Sequence, residues 1–119
     1  MKYTTKDSGK RQGYDSGMVR DTQEGKPRFE FLLTDQPYKE QLITRWAELM
    51  GRGADKYGAR NWQLANSEEE LERFKGSAMR HFMQWMCGED DEDHATAVLF
   101  NINAAEYVKW KLANSKKLK

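Results

Sequence analysis

The residues best suited to chemistry stand close together: His81, then the unbroken acidic run Glu89-Asp90-Asp91-Glu92-Asp93, then His94. Crowded carboxylates repel one another, and a cation set among them relieves that repulsion. Hard oxygen donors suit Mg²⁺ or Mn²⁺, while an imidazole accepts a proton near neutral pH. Asp90 and Asp93 are three apart, and Glu89 and Asp93 four apart, so a helix beginning inside the run would project them on one face. His81, Asp93 and His94 are therefore candidates for catalysis, and Glu89, Asp90 and Asp93 for metal binding. The same acids also complement the dipole of a helix N-terminus. Either histidine taken alone also reads as a hydrogen-bonded core residue. If a cation relieves the crowding, Asp93→Asn should not destabilise the metal-free fold.

A second set of residues suits an anionic ligand with an aromatic part. Asp21-Thr22-Gln23-Glu24-Gly25-Lys26-Pro27-Arg28-Phe29 sets two cations and a ring in a stretch punctuated by glycine and proline. Gly53-Ala54-Asp55-Lys56-Tyr57-Gly58-Ala59-Arg60-Asn61-Trp62 repeats the mixture at a helix end. Cationic groups suit phosphate, and an aromatic face suits a nucleobase. A solvated loop is the plain alternative for either stretch. Gly25-Lys26 is not a phosphate loop, because the GxxxxGK[ST] spacing and a preceding strand are both missing.

The elements that would position these groups are helices. Residues 1–37 hold Gly9, Gly13, Gly17, Gly25, Pro27 and Pro37 with little periodicity, and read as an extended arm with turns. From about Tyr38, Leu42, Trp46, Leu49 or Met50, Gly53 and Tyr57 recur at helical spacing, with Asp35 as N-cap and Gly58 as stop. A second helix opens on the capping box Ser67-Glu68-Glu69-Glu70. It carries the stripe Leu71, Phe74, Ala78, Phe82 and Trp85, and ends at Gly88. A third begins in the acidic run and carries Val98, Ile102, Ala105 and Leu112. The expected fold is all-α: an antiparallel bundle over residues 38–113, with a basic tail over 114–119. The second stripe passes position 81 and the third extrapolates back to 94, with Asn101 on the same seam. A hairpin hinged at Gly88 would turn both histidines towards each other.

Composition narrows the class. At 119 residues the chain suits one compact domain, and with 38% hydrophobic and 33% charged residues it can bury only a thin core. A homodimer or homotetramer is the expected remedy, since Trp46, Trp85 and Trp110 offer more apolar area than three short helices can cover. A net charge of +1 lacks the basic excess of a nucleic-acid binder. The single cysteine, Cys87, excludes an internal disulfide framework and suits a reducing compartment. The polar start has no signal-peptide core, and no apolar run approaches the length of a membrane span. A cytoplasmic protein with no membrane or nucleic-acid partner is expected.

Three ordered blocks then resemble one family. Tyr14-Asp15-Ser16-Gly17-Met18-Val19-Arg20-Asp21 followed by Gly25-Lys26-Pro27-Arg28-Phe29 is similar to the opening signature of the phage dATP/dGTP diphosphohydrolases. Gly53-Ala54-x-Lys56-Tyr57-Gly58-x-x-Asn61-Trp62 is similar to their second block, and Arg80-His81-x-x-x-Trp85-x-x-Gly88-Glu89 with Asp93-His94-Ala95 to their third. That family is a MazG-like branch of the all-α nucleoside triphosphate pyrophosphatases. It includes the MazZ enzymes of phages with 2-aminoadenine in their DNA, which convert dGTP to dGMP and pyrophosphate.

The resemblance implies an Mg²⁺-dependent pyrophosphohydrolase, with Mn²⁺ as the alternative ion, acting on a purine deoxynucleoside triphosphate, dGTP ahead of dATP. Lys26, Arg28, Lys56 and Arg60 or Arg80 would hold phosphate, Asn61 and Trp62 would meet the base, and Asp21 on the arm would join them in binding substrate. MazG proteins proper carry EExxE on one helix and ExxD on the next. Here His81 occupies the region of the first motif, and the second must fall between Glu89 and His94. Glu48 matches a family-like acid in Trp46-Ala47-Glu48-Leu49, yet lies nearly opposite the 42/46/49/53 seam. It would reach a metal site only from another subunit. Two rivals remain open: an HD-type triphosphohydrolase, although Asp93-His94 runs in reverse order, and a non-catalytic helical binding module.

Overall fold

The structure is a computed structural model that describes residues 2–115. The chain divides after Leu32 into two compact units, a little before the 37/38 boundary drawn from sequence. In the first unit, β1 (Arg11–Gly13) pairs antiparallel with β2 (Val19–Asp21), Gln12 opposite Arg20. The expected extended arm with turns thus contains a short β-hairpin. Its turn is closed by the Gly17 amide donating to the Tyr14 carbonyl (2.9 Å), with Gly17 at a φ of 92° that side-chain-bearing residues avoid. Asp21 is the hub of this unit: its carboxylate accepts from the Ser8 hydroxyl and amide and from the Thr22 amide, and this holds its pKa below the usual carboxylate range.

The second unit holds α1 (Leu42–Tyr57), α2 (Glu68–Met86) and α3 (His94–Ser115). The architecture is all-α, as expected, with α2 and α3 packed as an antiparallel hairpin. Helix α1 begins later than sequence suggests, because Tyr38–Glu40 forms a separate 3₁₀ turn. Its N-cap is Gln41, not Asp35. The buried Gln41 amide group instead accepts from the Thr34 amide (3.0 Å) and donates to the Thr34 and Gln36 carbonyls, tying the incoming loop.

The capping box at α2 forms as expected. The Glu70 amide donates to Ser67 Oγ (3.2 Å), and the Glu70 carboxylate accepts from the Asn66 amide and the Ser67 hydroxyl. At the other end Gly88, at φ 78°, permits a Schellman closure in which the Gly88 and Glu89 amides donate to the Trp85 and Gln84 carbonyls.

The acidic run is not helical, contrary to expectation; residues 89–93 form a loop and α3 starts at His94. Asp93 explains why. Its carboxylate accepts from the Thr96 amide (3.3 Å) and its carbonyl from the Thr96 hydroxyl, as an N-cap requires. Glu89, Asp90 and Asp93 therefore do not share a helical face.

The packing seam also differs from the bulky stripe. On α3 it runs His94, Ala97, Asn101, Ala104 and Val108, all buried, while Ile102 is half exposed. On α2 the seam is Leu71, Phe74, Ala78 and His81, with Phe82 and Trp85 turned outward. Small residues let the helices approach closely, so the seam follows alanine rather than the largest side chains. The apolar core is correspondingly thin: Ala65, Leu71, Ala105 and Val108, flanked by Phe74 and Leu112. Asn114 and Ser115 belong to the last turn of α3, not to a frayed tail, and residues 116–119 lie outside the described residues.

Helix α1 contributes no buried residue. It is tied to the start of α3 by a two-point ion pair, Arg45 Nε to Asp93 Oδ2 (2.9 Å) and Arg45 Nη2 to Asp93 Oδ1 (2.7 Å). The Arg45 guanidinium, and after it the Thr96 amide, holds the Asp93 carboxyl below its ordinary value of 3.8. A depressed carboxyl pKa stabilises the fold above the unfolded value and loses that contribution as pH falls through the folded one. Asp93→Asn should therefore destabilise the protein at pH 7 by roughly 1–3 kcal/mol, against the expectation from crowding. Thermal melts across pH should show the gap to wild type closing below about pH 4; an undiminished wild-type melting temperature in Asp93→Asn would remove the ion pair from the account of the fold.

Candidate functional site

The two histidines meet where α2 ends and α3 begins. His81 is 8% exposed and His94 2%, and their Nδ1 atoms stand 2.9 Å apart. One nitrogen must donate and the other accept, and the flanking groups decide which. Arg80 Nη2 lies 3.3 Å from His81 Nε2, and a guanidinium only donates, so that nitrogen carries no proton. Asp91 Oδ1 lies 2.7 Å from His94 Nε2, and a carboxylate only accepts, so that nitrogen carries one. The consistent chain is Arg80 donating to His81, His81 Nδ1–H donating to His94 Nδ1, and His94 Nε2–H donating to Asp91. Both rings are neutral in it. Burial, and then the neighbouring Arg80 charge, push the His81 pKa down, with Glu92 opposing them. The hydrogen bond from His94 holds Asp91 below the usual carboxylate range.

Two groups of metal-ligating atoms form around this pair among the described residues. They are His81, Glu92 and His94, and Glu89, Asp91 and His94, each with its ligand atoms within 4.8 Å of one another. Glu48 and Asp90, both exposed, and Asp93, engaged by Arg45, belong to neither group. Sequence reasoning singled out the run but not Glu92 or Asp91 within it. A loop has no period from which to choose among neighbours.

Glu92 also borders a cleft of about 490 Å³ in the same unit, within the size range of small-molecule sites. Leu49, Gly53 and Tyr57 of α1 form one wall, and Phe74 and Phe100 another, with Arg52, Lys56 and Arg60 at the rim. Lys56, Arg60, Asn61 and Trp62 are thus brought together, as a ligand-binding block would be. Arg52 is an addition that sequence reasoning missed. Lys56 lies 5.0 Å over the Tyr57 ring, and its ammonium is stabilised first by Tyr57 and also by the charge of Glu92.

The turn that ends the cleft is held firmly. Trp62 makes edge contacts with Phe100 and Tyr107, at ring distances of 5.9 and 5.5 Å. Lys111 Nζ donates to the Gln63 and Ala65 carbonyls at 2.8 and 2.9 Å. Within this frame Arg60 adopts φ 62° and ψ 18°, the left-handed conformation that a side-chain-bearing residue enters at a cost.

The remaining candidates lie elsewhere. Arg80 braces His81 and also donates to Gln84 Oε1 (3.0 Å). Asp21, Lys26 and Arg28 belong to the N-terminal unit, where Lys26 approaches Asp21 at 3.8 Å and Arg28 pairs with Glu30 and covers the Phe31 ring. Asn101 donates to the Ala97 carbonyl within its own helix. No helix of the described residues is long and apolar enough to cross a membrane.

A cationic cleft with aromatic walls, an acid on its rim and a buried imidazole pair beside it is an arrangement fitted to a charged aromatic ligand. No curated protein and no solved structure matches the chain. The family model described as dATP/dGTP diphosphohydrolase, N-terminal, matches residues 16–116. That match covers most of the sequence, and the chain belongs to the dATP/dGTP diphosphohydrolase N-terminal family.

Proposed function

We propose that this protein hydrolyses a purine deoxynucleoside triphosphate, dGTP in preference to dATP, to the monophosphate and pyrophosphate. The observation that carries the proposal is the cleft itself, which joins three cations to aromatic walls and ends at Glu92. The purine enters among Tyr57, Trp62 and Phe100, with Asn61 offering an amide to its polar edge. A site that hydrogen-bonds one edge rejects the other base because its polar groups are left unpaired. Arg52, Lys56 and Arg60 take the phosphate charge. Water attacks the α-phosphorus, the bond from that phosphorus to the bridging oxygen breaks, and pyrophosphate leaves.

Glu89 is the carboxylate suited to accept the proton of that water, since it lies beside His94 and Asp91 and is held by a hydrogen bond from Gln84 Nε2 (3.3 Å). A divalent cation, when bound, would neutralise phosphate charge and acidify the water. His81, Glu92 and His94 offer it nitrogen and oxygen donors in one place. Asp93 acts as a positioning residue through Arg45. Glu48 and Asp90 have a part only if another copy brings them one.

With purified protein, each deoxynucleoside triphosphate and a divalent ion, chromatography should recover dNMP and pyrophosphate in equal amounts, and only with purine substrates. Tripolyphosphate and free nucleoside would replace this reading with the HD-type reaction.

Arg60 supplies a second test. Glycine relieves the left-handed strain, so Arg60→Gly should melt at the wild-type temperature or a few degrees above it. Its kcat/KM should nevertheless fall about tenfold or more, the loss of roughly 1.4 kcal/mol of phosphate contact. Arg60→Gly with unchanged kcat/KM would leave Arg60 a solvated loop residue.

A second copy of the chain fits the uncovered face of the α2–α3 hairpin. Met79, Phe82 and Ile102 line a shallow groove there and are 60%, 41% and 50% exposed, with Lys75, Glu106 and Lys109 on its edges. Apolar residues rimmed by charges of both signs suit a self-complementary two-fold contact. Light scattering should give a dimer or tetramer, and Phe82→Glu should reduce it to the 13.9 kDa monomer. A monomeric wild type at micromolar concentration would exclude this interface.

A further inference from the structure

Among the described residues, carboxylates alone do not gather into a cation site. No three of them bring their oxygen atoms within ligand distance of one another, and both groups of three that form contain His94. Mg²⁺ sheds water reluctantly and prefers oxygen donors in near-octahedral array. Imidazole nitrogen suits the later first-row ions.

The hydrogen-bond chain also sets one ring in advance. His94 holds its proton on Nε2, against Asp91, which leaves the Nδ1 lone pair turned towards His81. A carboxylate behind an imidazole is the arrangement that fixes the tautomer and raises the basicity of a metal-ligating histidine. His81 needs only to give up the Nδ1 proton that it shares with His94. That proton moves to Nε2, which displaces the Arg80 hydrogen bond at that nitrogen and leaves Arg80 its second partner, Gln84. Glu92 is exposed and adds the third donor on the side of the cleft.

We infer that His81, Glu92 and His94 form a mixed nitrogen–oxygen centre for a histidine-accepting transition ion such as Co²⁺ or Zn²⁺ in preference to Mg²⁺, with Asp91 as its orienting carboxylate. The inference deepens the proposed hydrolysis by naming its metal site, but the site is tested without substrate.

The test uses the full chain stripped with chelator and titrated with Co²⁺, followed by its visible absorption and by thermal melting. Co²⁺ should develop ligand-field bands and raise the melting temperature by mass action, and Mg²⁺ at a hundredfold higher concentration should do neither. Glu92→Gln changes an exposed residue and should fold normally while binding Co²⁺ at least tenfold more weakly. Asp91→Asn should weaken it by about 10–100-fold, and Glu89→Gln by less than twofold. Equal protection by Mg²⁺ and Co²⁺, wild-type Co²⁺ affinity in Glu92→Gln, or a loss in Glu89→Gln matching that in Glu92→Gln would each overturn the assignment. Hydrolysis supported by Mg²⁺ in a protein that binds no Co²⁺ would overturn the centre and leave the proposed activity standing. Co²⁺ bound as described without any hydrolysis would support the centre and overturn the activity.

Discussion

The ion pair between Arg45 and Asp93 is the constraint on which the second unit depends. Helix α1 has no buried side chain, and its half-buried face of Trp46, Leu49 and Met50 cannot by itself fix an orientation. A planar guanidinium meeting a carboxylate at two points, 2.9 and 2.7 Å, fixes both distance and angle. The same carboxylate caps α3, and the next residue is His94. One aspartate therefore sets where the third helix starts, where the first helix lies against it, and how far the cleft wall stands from the imidazole pair. An exposed pair of this kind would contribute little. Here the aspartate is mostly covered and its side chain makes three contacts, so it is a joint and not a surface decoration.

Around that joint the polar residues of the core form a closed system. His81, His94, Thr96 and Asn101 are all buried, yet among the described residues no buried side-chain nitrogen or oxygen lacks a partner. Burying such groups is tolerable only when each is hydrogen-bonded. Arg80 and Asp91 meet this requirement for the rings from either end, one as pure donor and one as pure acceptor, and so impose a direction on the chain of protons between them. Glu92 belongs to both electrostatic neighbourhoods. It acts on His81 on one side and on Lys56 on the other, so charge at the cleft rim and charge at the imidazole pair are coupled through one side chain.

Much of this was legible in the sequence because it is local. The Ser67–Glu70 box and the Gly88 stop are each written within a few residues, and together they fix the span of α2. The three- and four-residue spacing carried His81 onto the seam, and the short join made His94 its neighbour. What failed was also physical. The acidic run looked like a first helical turn, but Asp93 caps the helix and so leaves its four predecessors in a loop. Its partner Arg45 stands 48 residues away, a separation at which no pattern announces a contact. The seam on α3 was misplaced by following Val98 and Ile102, because close helix packing selects Ala97 and Ala104. In the N-terminal unit two three-residue strands are too short to show alternation, so the hairpin was invisible.

The placement of cost follows from the same economy of size. A bundle of this length with leucine at positions 81, 94 and 101 would bury more apolar surface and be more stable. The chain instead keeps polar groups on its seam and holds Arg60 in a left-handed turn that glycine would fill more easily. These departures from the stablest choice border the loop between α2 and α3, the cleft beside it, or the seam that joins them. Surrounding them are the firmest local devices in the unit: the Schellman closure at Gly88, the Asp93 cap, and the turn clamped by Trp62 and Lys111. Strain and buried polarity persist only where neighbouring structure over-determines the geometry. Their presence along the polar seam and the cleft beside it therefore marks these as the parts of the molecule whose shape, and not merely whose stability, is being maintained.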